Sequence, residues 1–297
     1  MRTSGEIVVG VDGSEHSDNA VEWAAKEAAV RKVSLVVAHA WVWPLLNVPL
    51  TPSKWSSPEG GLANEANRVL EEAEERARKV VPALTVTREL LVGSPAGVLL
   101  ELSKKAGLVV VGHRGLGGFT GLLVGSTGVQ LSAHSACPVA VVRPDHEPAD
   151  IRRIVVGVDD SAGANSALDF ALKEAEIRDA ELDVVHVWHA SEFSRRDYDT
   201  NAEIAEQNLN EILATPRQEH PDVDVRAITA QGRPKVLLEY CEGAELLVVG
   251  ARGRGGFKGL TLGSTSQTAL HHAACPVVIV RSAESGLPAH RWAAAIW

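Results

Sequence analysis

Basic charge is in short supply in this chain. Its 29 lysines and arginines stand against 38 aspartates and glutamates, a formal net charge of −9 over 297 residues. That balance lacks the clustered cationic excess on which counterion release from nucleic acid depends, so nucleic-acid partners are excluded. Any anionic ligand must be held by a local device. Long apolar runs are missing too: none approaches the roughly 20 residues of a membrane-spanning helix, and no membrane association is expected. The opening stretch MRTSGEIVVGVDGS lacks the basic start, apolar core and small-residue cleavage site of a secretory signal, which makes the cytoplasm the expected location. Cysteine is limited to Cys137, Cys241 and Cys275, with no C-x-x-C spacing. A zinc centre, a redox motif and an even-numbered disulfide framework are all unsupported. Cys137 and Cys275 sit in matching ACPV stretches and read as small buried side chains.

What the chain does have is material for two cores. With 45% hydrophobic and 23% charged residues it has a globular composition, and its length is comfortable for two domains. It also repeats itself. IVVGVDGS begins at Ile7 and IVVGVDDS at Ile154; GHRGLGGFTGLLVGST begins at Gly112 and GARGRGGFKGLTLGST at Gly250. The aspartates are 159 − 12 = 147 residues apart and the glycine-rich stretches 250 − 112 = 138, so the first copy is nine residues longer between these landmarks. Most of the excess is expected in residues 41–61, whose four prolines argue against helix or central strand.

Both copies give the same order of elements. Val-rich continuous runs predict buried parallel strands at residues 7–11, 35–40, 84–91, 108–111 and 139–142, and again at 154–158, 182–187, 223–228, 246–249 and 277–280. Between them lie helical patterns. The first is expected over 17–31, where Ala20, Trp23, Ala24, Glu27 and Ala28 recur at spacings of three and four; its counterpart carries Ala167, Phe170, Ala171, Glu174 and Ala175. The fold class that follows is α/β: two tandem doubly wound domains, each a five-stranded, mainly parallel sheet of order 3-2-1-4-5 with helices on both faces. The expected domains are residues 1–145 and 151–281, joined by the charged, proline-containing stretch 143–150, with 282–297 as a tail that has no counterpart in the first copy. The last strand of each copy, CPVAVVR and CPVVIVR, is expected at a sheet edge. Bare apolar edges invite pairing, between the two halves or in a homodimer.

The glycine-rich stretch leaves the fourth strand and runs into a helix whose expected cap is Ser126, or Ser264 in the second copy. In open parallel sheets ligands bind beyond the carboxyl ends of the strands, where the strand order reverses. Free amides at a helix N-terminus, approached through backbone without Cβ atoms, make an anion site there. The spacing is Gly112, two residues, Gly115, nine residues, Gly125, Ser126; it recurs as Gly250, Gly253, Gly263, Ser264. Two copies at identical spacing favour a phosphate loop over a flexible turn.

This G-x2-G-x9-G-[ST] pattern, together with VGVDGS at the end of the first strand, resembles the ATP-binding branch of the universal stress protein family in its tandem-domain form. The resemblance implies an adenine nucleotide in each half, ATP with Mg2+. It implies phosphates on Gly115, Gly125, Ser126 and Thr127, and on Gly253, Gly263, Ser264 and Thr265. By the same match Asp12 and Asp159 lie against the ribose and near the metal, although an acid at that point is also a common residue where a helix begins. Adenine is expected over the end of the second strand, against the backbone up to Ala40 or Val187. His39 and His186, in that strand, read as hydrogen-bonded core residues rather than ligand groups.

Signatures of rapid nucleotide chemistry are missing. There is no G-x4-G-K-[ST] lysine to neutralise β and γ phosphates, no SGG-x-[DS] pyrophosphatase loop, and no HIGH or KMSKS motif. His113 is matched by Ala251, so a shared catalytic role is excluded and the residue reads as a surface loop position. Arg114 and Arg252 are shared; pairing with phosphate and simple solvation are both open. The expectation is a stress-response regulator that works as an ATP-dependent switch, with a slow ATPase or nucleotidyl transferase as the alternative and a flavodoxin-like electron carrier disfavoured by the acidic VDGS.

Overall fold

The computed structural model describes residues 5–41, 58–115, 124–144, 152–188, 198–253 and 262–282. The chain divides into two compact units between Pro144 and Asp145. In the first, strands β1 (Ile7–Val11), β2 (Leu35–Trp41), β3 (Val86–Val92), β4 (Leu108–Gly112) and β5 (Val139–Val142) alternate with helices α1 (Glu15–Arg31), α2 (Pro58–Val80), α3 (Pro95–Ser103) and α4 (Ser126–His134). The sheet is parallel, in the order β3-β2-β1-β4-β5. The second unit repeats it with β6 (Arg153–Gly157), β7 (Glu181–Trp188), β8 (Val225–Gln231), β9 (Leu246–Gly250) and β10 (Val277–Val280) in the order β8-β7-β6-β9-β10. Its helices are α5 (Ala162–Arg178), α6 (Tyr198–Glu219) and α7 (Ser264–His272), and a 3₁₀ helix, Pro234–Cys241, stands where the first unit has α3. The expected fold and strand order are those observed.

The hydrophobic effect places β1 and β6 at the centre. Ile7, Val9, Ile154, Val155 and Val156 are fully buried, each such side chain contributing on the order of 1.5–3 kcal/mol relative to exposure. Helices α1 and α5 lay alanine-rich faces on them, with Ala20, Ala24 and Ala28 in one and Ala167, Ala171 and Ala175 in the other all buried. Each helix starts at a serine whose hydroxyl accepts from the amide three residues on, Ser14 from Ser17 and Ser161 from Ala164, and so consumes one of the orphan amides of the first turn. Each also buries a glutamate paired with an arginine one turn later, Glu27 with Arg31 and Glu174 with Arg178.

Three expectations need correction. The third strands are not buried: in β3 only Val86 is, and in β8 no residue is. They are edge strands, covered on one side by α2 or α6, so an apolar run overstated their burial. Residues 41–61 do not exclude helix throughout, because α2 starts at Pro58. Proline is well suited to the first helical position, where its missing N–H would have had no partner. The rest of that segment, 42–57, lies outside the described residues, as do the linker 145–151 and the tail from 283. The first helix starts at Glu15 rather than residue 17.

Candidate functional site

Strand order reverses between β1 and β4, and between β6 and β9, so the crevice beyond these carboxyl ends is where each unit can take a ligand. Asp12 follows β1 directly. One carboxylate oxygen, Oδ1, accepts from the Ser14 amide at 3.0 Å and from the Ser14 hydroxyl at 2.6 Å. Asp159 repeats the arrangement with the Ser161 amide, at 3.0 Å, and with the Ser161 hydroxyl. The D-x-S spacing therefore does two jobs: the serine caps the helix and fixes the acid. Ser14 and Ser161 were not among the expected site residues, although the spacing itself was the available signal.

The other oxygen explains the glycine. A Cβ placed on Gly115 would lie 2.3 Å from Asp12 Oδ2, and one on Gly253 would lie 2.5 Å from Asp159 Oδ2. Neither glycine is among those with positive φ, so what each position requires is space for the carboxylate. The glycine ending the fourth strand is equally constrained: a Cβ on Gly112 would sit 2.5 Å from the His16 carbonyl oxygen, and one on Gly250 would sit 2.7 Å from Gly163. Through this approach the N-terminus of α1, or α5, lies against the end of β4, or β9.

The loop closes on itself at its base. Gly125 N donates to the His113 carbonyl at 2.7 Å and Gly263 N to Ala251 at 2.9 Å. Gly125 and Gly263 are themselves the N-caps of α4 and α7, and neither helix has a side-chain cap bond. The expected capping role of Ser126 and Ser264 is thus overturned; each is the first residue of its helix and exposed. The correction strengthens the anion logic, because a glycine cap brings no side-chain acceptor to compete for the first-turn amides. Thr127 and Thr265 are half-buried in the same turn. Residues 116–123 and 254–261, the middles of the two loops, lie outside the described residues.

Ala40 and Val187 reach the same crevice. Pairing of β2 with β1 ends at His39, and pairing of β7 with β6 at Val185, so Ala40 and Val187 extend beyond the central strand while still pairing with β3 and β8. His39 Nδ1 contacts the Val11 carbonyl at 2.8 Å and His186 Nδ1 the Val158 carbonyl at 3.0 Å. Both imidazoles are half-buried rather than in the core, each held against a backbone carbonyl. The sequence reading of His113 as a surface residue is wrong: it is 7% exposed, its ring packs edge-on against His16 at 4.4 Å between centroids, and burial holds its pKa down at about 4. Ala251 is buried likewise.

All three cysteines are buried, and burial pushes the Cys137 thiol up to about 11. Among the described residues no group of three or more His, Cys, Asp or Glu is placed to hold a metal, and no helix is long and apolar enough to cross a membrane.

The model of the universal stress protein family matches residues 4–143 and 150–281. The chain is 36% identical over 293 residues to universal stress protein Rv2005c of Mycobacterium tuberculosis, covering 93% of this chain and 96% of that one. It is 34% identical over 293 residues to universal stress protein Rv2623 of the same organism, at the same coverage. A crystal structure of a universal stress protein from Archaeoglobus fulgidus superposes with a TM-score of 0.71 at 20% identity, covering 95% of this chain and 98% of that one, which is a likeness of fold.

Proposed function

The chain belongs to the universal stress protein family, with one family domain in each half, and on that premise we propose that each domain binds one adenine nucleotide, ATP with Mg2+, and that occupancy switches the protein's regulatory state. The observation that carries this reading is the contact between Asp12 and Gly115, repeated by Asp159 and Gly253. In both copies backbone without a Cβ is pressed against a fixed carboxylate at the mouth of a glycine-capped helix. Amides and a carboxylate side by side suit a ligand that is anionic at one end and carries hydroxyls or a metal at the other. A nucleotide has that form.

Phosphates fall to Gly115, Gly125, Ser126 and Thr127 in the first domain, and to Gly253, Gly263, Ser264 and Thr265 in the second. The backbone at Ala40 and Val187 takes the adenine edge. A single carboxylate is in keeping with Mg2+, which retains its waters and is held largely by substrate phosphates. The bound metal would neutralise phosphate charge. Neither loop carries a lysine at the Walker position, so hydrolysis is expected to be slow. Small molecules released from purified protein by denaturation, identified by mass spectrometry, test the reading together with calorimetric titration. Two adenine nucleotides per chain are expected. A folded protein that binds none overturns it, and rapid turnover abolished by Asp12→Asn or Asp159→Asn would make it an enzyme instead.

A further inference from the structure

The first domain buries polar groups that the second does not have. His113 and His16 stack edge to face, their ring planes 68° apart. The Nδ1 atoms of both rings and Nε of the adjacent Arg114 are buried and have no hydrogen-bond partner among the described residues. By the repeat offsets of 147 and 138 residues, their counterparts are Gly163 and Ala251. An unsatisfied buried polar group is costly and calls for a specific explanation. The pair also sits at the base of the glycine loop. The His113 amide donates to Val142 at 2.9 Å, its carbonyl accepts from Gly125, and the His16 carbonyl lies against Gly112.

The surroundings decide what the pair can accept. The charged or chargeable groups facing His113 are His16 on α1, Arg143 after β5 and Arg114 beside it in the chain, and each opposes a positive charge on the ring. A metal cation meets the same repulsion and finds no third protein ligand among the described residues. An anion meets the opposite. Once a phosphoryl group lies on the loop above, its charge offsets the two arginines and an imidazolium becomes affordable. Binding linkage is reciprocal: a ligand that favours protonation binds more tightly to the protonated site. The second domain has Gly163 and Ala251 at these two positions and so no imidazole at either.

We propose that the first domain binds its phosphoryl ligand together with a proton taken up by His113, the buried ring that His16 covers, whereas the second binds without one. The proposal rests on the nucleotide reading above. It makes the first site the acid-favoured one of the two.

Titration calorimetry with MgATP at pH 6.5, in two buffers of different ionisation enthalpy, counts the protons exchanged by the full chain. Titration of ATP itself is common to all variants and cancels in comparison. Wild type should take up a measurable fraction of a proton more per chain than H16G/H113A, which copies the second domain; about half a proton is the ceiling at that pH, reached when the anion offsets burial as well as the cationic field. Nucleotide stoichiometry should be equal in the two. In proton NMR of the wild type, the imidazole resonance missing from H113Q should move to its charged position when MgATP is added at pH 6.5. This second measurement needs no glycine or alanine variant to fold. Equal proton counts at full stoichiometry, or a His113 resonance that stays neutral, overturns the proposal and leaves the nucleotide reading intact. No nucleotide binding in either domain overturns both.

Discussion

Beneath one shared backbone the two domains place different chemistry. Asp12 and Asp159, Ser14 and Ser161, Gly115 and Gly253, and the glycine caps Gly125 and Gly263 make the same contacts at nearly the same distances. The residues supporting them diverge. Two imidazoles underlie the first loop where the second has glycine and alanine; Arg114 is half-buried and Arg252 exposed; an α-helix in one is a 3₁₀ helix in the other. Positions that shape the cradle are therefore held in common, and positions that set its electrostatic response are not. Two sites of one geometry should bind one class of ligand and respond to solution conditions differently.

The largest effect should come from breaking what is common. Gly115→Ala puts a Cβ 2.3 Å from the Asp12 carboxylate and Gly253→Ala puts one 2.5 Å from Asp159. The carboxylate must swing away and give up its serine bonds. Overpacking of this kind costs about 1–3 kcal/mol, which corresponds to roughly a 5–150-fold loss of affinity. Each single variant should reduce tight ATP stoichiometry from two to one, and the double variant should be folded, by thermal melting, and lack tight sites. A double variant with both sites at wild-type affinity would mean that glycine serves the aspartate alone.

Much of this was legible before any coordinates, for identifiable reasons. A buried parallel strand is a continuous apolar run, so β1, β5 and β10 could be bounded from the sequence, and the repeat supplied a second reading of every element. Burial of β3 and β8 was not legible, since an edge strand facing a helix on one side carries nearly the same side chains as a central one. The paired spacing of the glycines and aspartates identified the site, but not that Gly115 touches Asp12. That contact joins residues from opposite ends of a domain and depends on the β1–β4 pairing. Serine favours the cap role, which points to Ser126, yet glycine also adopts the extended cap conformation and leaves the serine one position inside the helix. His113 looked like a loop residue because it follows a strand and precedes glycines; only the approach of α1 shows that His16 covers it.

A smaller effect should separate the domains without any ligand. Burial holds His113 at about 4 against an ordinary 6.5, so the unfolded chain binds this proton more readily than the folded one. Its contribution to stability is complete above pH 6.5 and is lost progressively as the pH falls from there through 4. Hydrogen exchange read on β1 and β4 should show opening of the first domain becoming easier between pH 7.5 and 5, by more than on β6 and β9. In His113→Ala that extra pH dependence should vanish, whatever the variant's absolute stability. A pH response equal in the two domains of the wild type would remove His113 as its source.

The smallest difference expected is in salt. Where the first loop has Leu116 and Thr120 the second has Arg254 and Lys258, so the second site adds two cations to the arginine that both loops share. Arg252 is exposed and Arg114 half-buried, which places the shared arginine of the second site more in solvent, where mobile ions screen it. The screening length falls from about 10 Å at 0.1 M to about 3 Å at 1 M, so attraction of an anionic nucleotide to exposed cations fades over that range. A half-buried arginine is shielded from the same ions. Gly253→Ala leaves the first site to be titrated in the full chain and Gly115→Ala the second, each against ATP over this range of ionic strength. The second site should weaken more steeply. Equal slopes would mean that Arg254 and Lys258 do not face the phosphates, and that the domains differ in their response to protons but not to salt.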